Sequence, residues 1–330
     1  MEVLDKRARH RVRPQSRGTS DILTVDVEDW FHILEVDGGL ARESWPSLES
    51  RVTANTETLL ALFAQAGARA TFFVVGWIAE RHPALVRSIA EAGHEIASHS
   101  YWHEVICAHT HDSLAADLAD SKKLLEDLSG RPVRGFRAPG GSITPATAWA
   151  FEVLVERGYE YDSSLCPGIS SHGGYPSRWY GPHRVLANAG ELTELPTSTT
   201  PVAGRRIPYA GGGYLRLLPY PVIRRCIARD HRDGRPANVY VHPREIDPAQ
   251  PRMQLPWKRR FKYYVGLRTT RLKLERLLRD YHFVSAGEWI DSHAEELAGR
   301  VLDVRLEAAR GPAARPPSPP PPPAYREVAR

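Results

Sequence analysis

Residues 52–67, VTANTETLLALFAQAG, run into residues 68–76, ARATFFVVG, and the change of pattern between the two pieces decides the fold class. In the first piece the apolar residues recur at helical spacing, and the run closes on Gly67, the residue type favoured just past a helix end. The second is a β-branched and aromatic run without polar alternation, so a strand made from it is buried on both faces, as strands of parallel sheets are. Upstream, DILTVDVEDW (21–30) starts apolar and turns acidic, the profile of a buried strand that ends at a polar mouth. Together these pieces form one β-α-β unit.

The unit repeats downstream. AERHPALVRSIAEAG (79–93) reads as a helix, HEIASH (94–99) as a short strand, SLAADLADSKKLLEDLSG (113–130) as a helix with Ser113 as N-cap, and VRGFRAPG (133–140) as a strand. TPATAWAFEVLVERG (144–158) places Thr144 at the N-cap and Pro145 at the first helical position, and YEYDSS (159–164) follows as a strand. Alternation this regular implies parallel pairing with right-handed crossovers, and its length favours a barrel over a small open sheet.

Residues 166–219 are rich in Gly, Pro, Ser and Thr and read as an irregular insertion over the barrel mouth, with strand-like pieces such as GELTELP (190–196). ANVYVHP (237–243) is a late strand, and FKYYVGLRTTRLKLERLLRD (261–280) one long basic amphipathic helix with a solvated cationic face. The expected organisation is a disordered basic arm over 1–20, a domain over 21–298 with a helical extension from 258, and a proline-rich low-complexity tail over 299–330.

With 330 residues, 42% of them hydrophobic, the chain can bury one barrel-sized core. The formal charge of +5 comes from arginines in separate segments, so no nucleic-acid-binding face is expected. Cys107, Cys166 and Cys226 lie far apart without a CxxC pair, which argues against a disulfide framework and against thiolate zinc and fits a reducing compartment. The basic N-terminus has no apolar core, and the longest apolar run, Ala70 to Ala79, is too short to span a bilayer, so the expected protein is soluble and cytoplasmic.

In a parallel barrel the C-terminal strand ends converge on one face, where catalytic groups sit. Asp26, Glu28 and Asp29 close the first strand, His99 and His103 follow the third, Arg137 the fourth, Asp162 the fifth, and His242 the late strand. The i,i+4 histidine pair is weak evidence alone, since fourteen histidines give roughly 0.6 such pairs by chance. The motifs TVDVED, HSYWH, RAPGG, YDSS and VYVHP, in this order, resemble those of the polysaccharide deacetylase family, the NodB-homology carbohydrate esterases of family 4. The resemblance covers about residues 20–285. DVEDWFH, GGGYLRLLPY and HPREID with the helix that follows are most similar to the branch found with exosortase and exopolysaccharide loci.

The resemblance implies a distorted (β/α)7 barrel and one divalent metal, with His99 and His103 as ligands; two imidazoles and a carboxylate suit zinc. Here the family's paired aspartates are replaced by D-x-E-D. Asp26 matches the base, and strand alternation puts Glu28 on its face as the first choice of carboxylate ligand, with Asp29 as the competitor. Arg137 matches the arginine that holds the catalytic carboxylate, His242 the general acid, and Asp162 more loosely its orienting partner, with a turn role open. Gly140 stands where many relatives carry tyrosine, and its backbone N–H can still act as oxyanion donor. Trp30, Tyr101, Trp102 and Tyr214 are candidate sugar-binding aromatics, each with core packing as the alternative.

The implied reaction removes N-acetyl groups from amino sugars of a polysaccharide or its precursor. Two rivals are a small cyclic amide or ureide amidohydrolase of the same fold and a non-catalytic carbohydrate-binding protein of an exopolysaccharide assembly, recruited through the proline-rich tail.

Overall fold

The computed structural model describes residues 20–34, 40–168 and 174–305. The expectations for a basic arm and a proline-rich tail fall largely outside these residues. Seven parallel strands make the frame. They are β1 (Asp21–Val27), β2 (Thr71–Val74), β3 (Glu95–Ser98), β4 (Gly135–Phe136), β5 (Tyr161–Asp162), and two that follow after an interposed strand β6 (His183–Leu186): β7 (Glu191–Glu194) and, beyond the hairpin of β8 (Thr199–Val202) and β9 (Arg205–Pro208), β10 (Asn238–Val241). The hydrogen-bonded order is β10-β1-β2-β3-β4-β5-β7, parallel throughout. Antiparallel β6 extends it beyond β7, β12 (Val301–Asp303) pairs with β6, and β11 (Phe283–Val284) pairs with β1.

No strand ladder joins β7 to β10 among the described residues, so the barrel is not closed by a sheet. Side chains bridge the seam instead. Asn238 of β10 donates from Nδ2 to the Leu195 carbonyl just past β7 at 2.9 Å, and its backbone N–H donates to Ser198 Oγ at 2.8 Å. The expected α/β class with a parallel central sheet is therefore observed, with an incompletely laddered barrel. The 166–219 segment is also less irregular than its composition implied, because GELTELP supplies β7, a strand of the parallel frame itself.

Helices fill the crossovers. α1 (Val52–Ala66) buries Val52, Thr56, Leu59, Leu62 and Phe63, the stripe set by its 3.6-residue period. It is followed by α2 (Gly76–Arg81), α3 (Pro83–Glu91), α4 (His111–Ser129) and α5 (Ala150–Glu156). The strand interiors facing these helices, including Val25, Phe72 and Val74, are fully buried, each contributing roughly 1.5–3 kcal/mol. α4 begins three residues earlier than expected: Thr110, not Ser113, is the N-cap, because Thr110 Oγ1 accepts the Ser113 N–H while Ser113 Oγ accepts the Thr110 N–H. Thr144 caps a single 3-10 turn at Pro145–Thr147, and α5 starts only at Ala150.

Later come α6 (Gly212–Leu217), α7 (Tyr220–Arg232), α8 (Trp257–Tyr264), α9 (Leu267–Asp280) and α10 (Ala286–His293). The single long helix expected over 261–280 is two, α8 and α9, broken at Val265–Gly266. Gly266 has φ +73°, and a Cβ there would lie 2.1 Å from the Arg216 carbonyl oxygen, so the glycine permits both the left-handed turn and the close approach of α6. No helix among the described residues is long and apolar enough to cross a membrane. None of the three cysteines is in a disulfide.

Candidate active site

The ends of β1, β3, β4, β5 and β10 open into one cavity of about 450 Å³. Its floor is the charged cluster the sequence scatters over more than two hundred positions. Glu28, just past β1, is buried, and its Oε1 lies 3.1 Å from His99 Nε2 and 2.9 Å from His103 Nε2. His99 follows β3 directly. His103 is brought back over the same strand end by a tight turn in which Ser100 (φ +60°) and His103 (φ +55°) both take left-handed backbone, with Ser100 Oγ accepting the His103 N–H at 2.8 Å. Non-glycine residues adopt that conformation at a cost of order 1–3 kcal/mol, which the surrounding packing has to hold in place.

Hydrogen bonding fixes one tautomer. His99 Nδ1 lies 2.7 Å from the Arg137 carbonyl, which can only accept, so Nδ1 carries a proton and Nε2 of the neutral ring presents a lone pair to Glu28. Two acceptors facing each other in a buried site are reconciled by a further proton or by a cation. The three donor atoms lie within 4.8 Å of one another, and two imidazole nitrogens with one carboxylate oxygen are the chemistry of a zinc-type centre, so these residues fit a divalent ion. Burial opposes charge on Glu28, but His103 and His242, with the hydrogen bond from His103, outweigh it and hold the carboxyl well below its ordinary range.

Asp26 sits beside this cluster. Its Oδ1 accepts from Arg137 Nη1 at 2.6 Å, and its Oδ2 lies 3.7 Å from His242 Nε2. Arg137 is itself pinned: Nη1 also reaches Thr24 Oγ1, Nε donates to the Ser163 carbonyl, Nη2 to Ser163 Oγ, and the guanidinium lies 4.2 Å from the Phe73 ring centre. On the far side, His242 Nε2 is 3.7 Å from Glu28 Oε1 and its Nδ1 3.3 Å from Glu245 Oε2. Burial works against a charged His242, yet Glu28, Glu245 and Asp26 together raise its pKa above the ordinary imidazole value. Glu245 is buried too, but Arg216 and His242 bring it down to about 2.

Not every sequence candidate joins this group. Asp29 does not face the histidines: its carboxylate accepts the backbone N–H groups of Trp30, Arg51 and Val52 and the Ser50 hydroxyl, tying the β1 exit to the start of α1. Asp162 does not orient His242. Its two oxygens accept from Ser164 Oγ at 2.6 Å and Ser164 N at 3.1 Å, and it forms a buried carboxyl pair with Glu194. Burial pushes both of these groups up, Glu194 well above its usual range, with the Asp162 charge adding to the rise. The neighbour of His242 is Glu245, three residues on in HPRE.

Among the aromatics, Tyr214 lines the cavity. Trp30, Tyr101 and Trp102 are packing residues outside it: Trp30 donates from Nε1 to the Glu49 carbonyl, Tyr101 lies against Gly76, and the Arg42 guanidinium covers Trp102 at 4.5 Å. Gly140 lies on the cavity wall in the turn Pro139–Gly141, with φ +65°. Sequence reasoning missed His32, Tyr240, Arg216, Arg244 and Glu245, all of which line the cavity. Tyr240 was within reach, since it shares a strand face with His242 two residues on. Its ring fits only because Gly211 has no side chain, a Cβ there falling 2.0 Å from Tyr240 Cδ1.

Residues 41–161 match the family model described as Polysaccharide deacetylase, and residues 163–291 match one described as Domain of unknown function (DUF3473). The chain is 36% identical over 105 residues to a peptidoglycan-N-acetylglucosamine deacetylase of Bacillus cereus, a match covering 32% of this chain and 47% of that one. It is 35% identical over 107 residues to a peptidoglycan deacetylase of Helicobacter pylori, covering 32% and 36%. The chain thus spans less than half the length of these curated relatives. Its fold resembles that of a Mycobacterium smegmatis protein described as a "putative polysaccharide deacetylase", with TM-score 0.58, 21% identity, and 87% and 96% of the two chains covered. It also resembles that of the Puue allantoinase, with TM-score 0.53, 16% identity and 88% of each chain. Residues 41–161 are thus similar to the polysaccharide deacetylase model, part of the chain is similar to these two deacetylases, and the chain as a whole shares a parallel α/β fold with the two solved structures.

Proposed function

We propose that the protein is a metal-dependent hydrolase that removes N-acetyl groups from amino sugars of a polysaccharide or its precursor. One observation carries the reading: a buried carboxylate and two imidazoles converge within hydrogen-bond distance, flanked by an arginine-held aspartate and a histidine whose ring nitrogen lies 3.7 Å from both acids. Glu28, His99 and His103 would hold the ion, and their donor set favours zinc. A divalent ion held there supplies Lewis-acid polarisation of a carbonyl and makes hydroxide accessible near neutrality.

The chain's own groups supply the proton movements. Asp26, oriented by Arg137, takes the proton of the attacking water, and the Gly140 N–H is the proposed donor to the oxyanion that develops on the acetyl group. As the C–N bond breaks, His242 gives its proton to the amine nitrogen, with Glu245 supporting the charged imidazole, so that acetate and a free amino sugar leave. Glu28, Glu245 and Asp26 raise the His242 pKa above the ordinary imidazole value, which favours the protonated ring that this step needs. The motifs shared with the exosortase-associated branch favour an exopolysaccharide as the glycan, and a cytoplasmic site of action is part of the same reading.

A second reading rests on the cavity wall. Cys166, Thr197, Pro208, Gly212, Gly213 and Tyr214 of the 166–219 segment all line it, which favours a short glycan or a small cyclic amide over a long polymer. Acetate release from a panel of N-acetylated oligosaccharides, with and without chelator and beside a cyclic ureide, tests both. Chelator-sensitive acetate release supports the deacetylase; ureide opening without acetate release selects the rival; sugar binding with neither reaction leaves the non-catalytic reading.

A further inference from the structure

Between Asp247 and Glu275 the chain carries eight Lys and Arg residues and no Asp or Glu. Five of these, Arg252, Lys258, Arg259, Arg260 and Lys262, lie in α8 or the approach to it. The same short helix holds the most exposed aromatic side chains of the described protein, Trp257 at 75% and Phe261 at 56% exposed. They stand four residues apart and so share one helix face, with exposed Lys258 and Lys262 along one side of the pair and exposed Arg260 along the other. Tyr263 and Tyr264, at the end of the helix, anchor it in a small cluster with Ile33, Leu255 and Leu267. Leu217, 49% exposed, stands on the same cavity rim as Phe261, since both line the cavity.

Core packing cannot account for an indole and a phenyl ring left in water on a firmly anchored helix. A neutral N-acetylated glycan gives no reason for a cationic field without a single acid. Aromatic side chains projecting from a convex helix and bordered by lysine and arginine are instead suited to the interface of an anionic bilayer, where rings enter the headgroup boundary and cations meet the lipid charge. We propose that the α8 face, Trp257 and Phe261 with Lys258 and Arg260, docks the protein on an anionic membrane surface and brings the cavity rim to it. This surface is independent of the deacetylase reading, because it requires no chemistry in the cavity.

The test is co-sedimentation of the full chain with phosphatidylcholine vesicles and with vesicles also containing phosphatidylglycerol. Binding is expected to the anionic vesicles only, with a blue shift of tryptophan emission and loss at high salt. Trp257→Ser and the double variant Lys258→Glu/Arg260→Glu should each lower the apparent affinity at least tenfold at unchanged melting temperature. None of these three residues lines the cavity. Binding that survives in both variants, as it would if the basic segment at residues 6–17 were the anchor, overturns the proposal. So does tryptophan quenching by oligosaccharide with no vesicle binding, or concentration-dependent self-association relieved by Trp257→Ser.

Discussion

In the proposed reaction Asp26 and His242 move the protons while Arg137 and Glu245 support them, and changes at Asp26 and Glu245 should leave different signatures. Asp26→Asn keeps the size and the hydrogen bond from Arg137 but cannot take a proton. Turnover should fall about 10²–10⁴-fold in acetate release. Glu245→Gln tests the support of His242. A general acid works while protonated, so activity holds below its pKa and is lost above it; with one of the raising carboxylates neutralised, the His242 pKa falls, and the basic limb of the kcat/KM profile moves to lower pH. A merely structural role for Glu245 would lower the whole profile without moving that limb. The sequence showed Asp26, Arg137 and His242 because each stands at a strand end. Glu245 was hidden because an acid after a proline reads as ordinary helix-start chemistry until Arg216, from a distant helix, is seen beside it.

At the scale of elements, the β5–β7 contact holds a prediction of its own. Asp162 and Glu194 end adjacent strands and are fully buried, and both carboxyl groups are raised above their ordinary values by burial, with Asp162 adding to Glu194. For a carboxyl raised on folding the unfolded chain gives up its proton first, so the stability is full below the unfolded value and is lost as pH rises through the folded one. Glu194→Gln removes that proton dependence while leaving an amide oxygen for the Leu165 N–H; the decline of Tm between weakly acidic and mildly alkaline pH should flatten, as thermal unfolding across that range will show. Gly266→Ala is the second element-level case. Left-handed backbone and the Arg216 carbonyl both oppose a Cβ, so urea unfolding should report a loss of about 1–3 kcal/mol. The α8–α9 break was illegible in a 261–280 pattern with unbroken helical periodicity, because the reason for it lies in α6. Asp29 shows the same limit: strand alternation favoured Glu28 for the histidines, but only the position of the α1 N-terminus shows what Asp29 does instead.

For the molecule as a whole, the alternation of helix and strand revealed the parallel α/β frame, since period and burial are local properties. What it could not show was where the frame stops pairing: the β7–β10 seam is bridged by Asn238, a residue with no strand signature, and β7 itself lay within a Gly- and Pro-rich stretch. An ion bound only by the folded chain stabilises it by about 2.7 kcal/mol at a hundredfold excess over Kd, so stripping the metal with chelator should lower Tm, and adding zinc back should restore it. Everything proposed about the reaction depends on Glu28, His99 and His103 acting together as one cation site. Equilibrium dialysis followed by elemental analysis of the purified chain measures this directly. The account predicts one divalent ion per wild-type chain, retained in Asp26→Asn and lost in Glu28→Gln and His99→Ala; a wild-type chain without an ion, or Glu28→Gln and His99→Ala chains that keep it, would contradict the account.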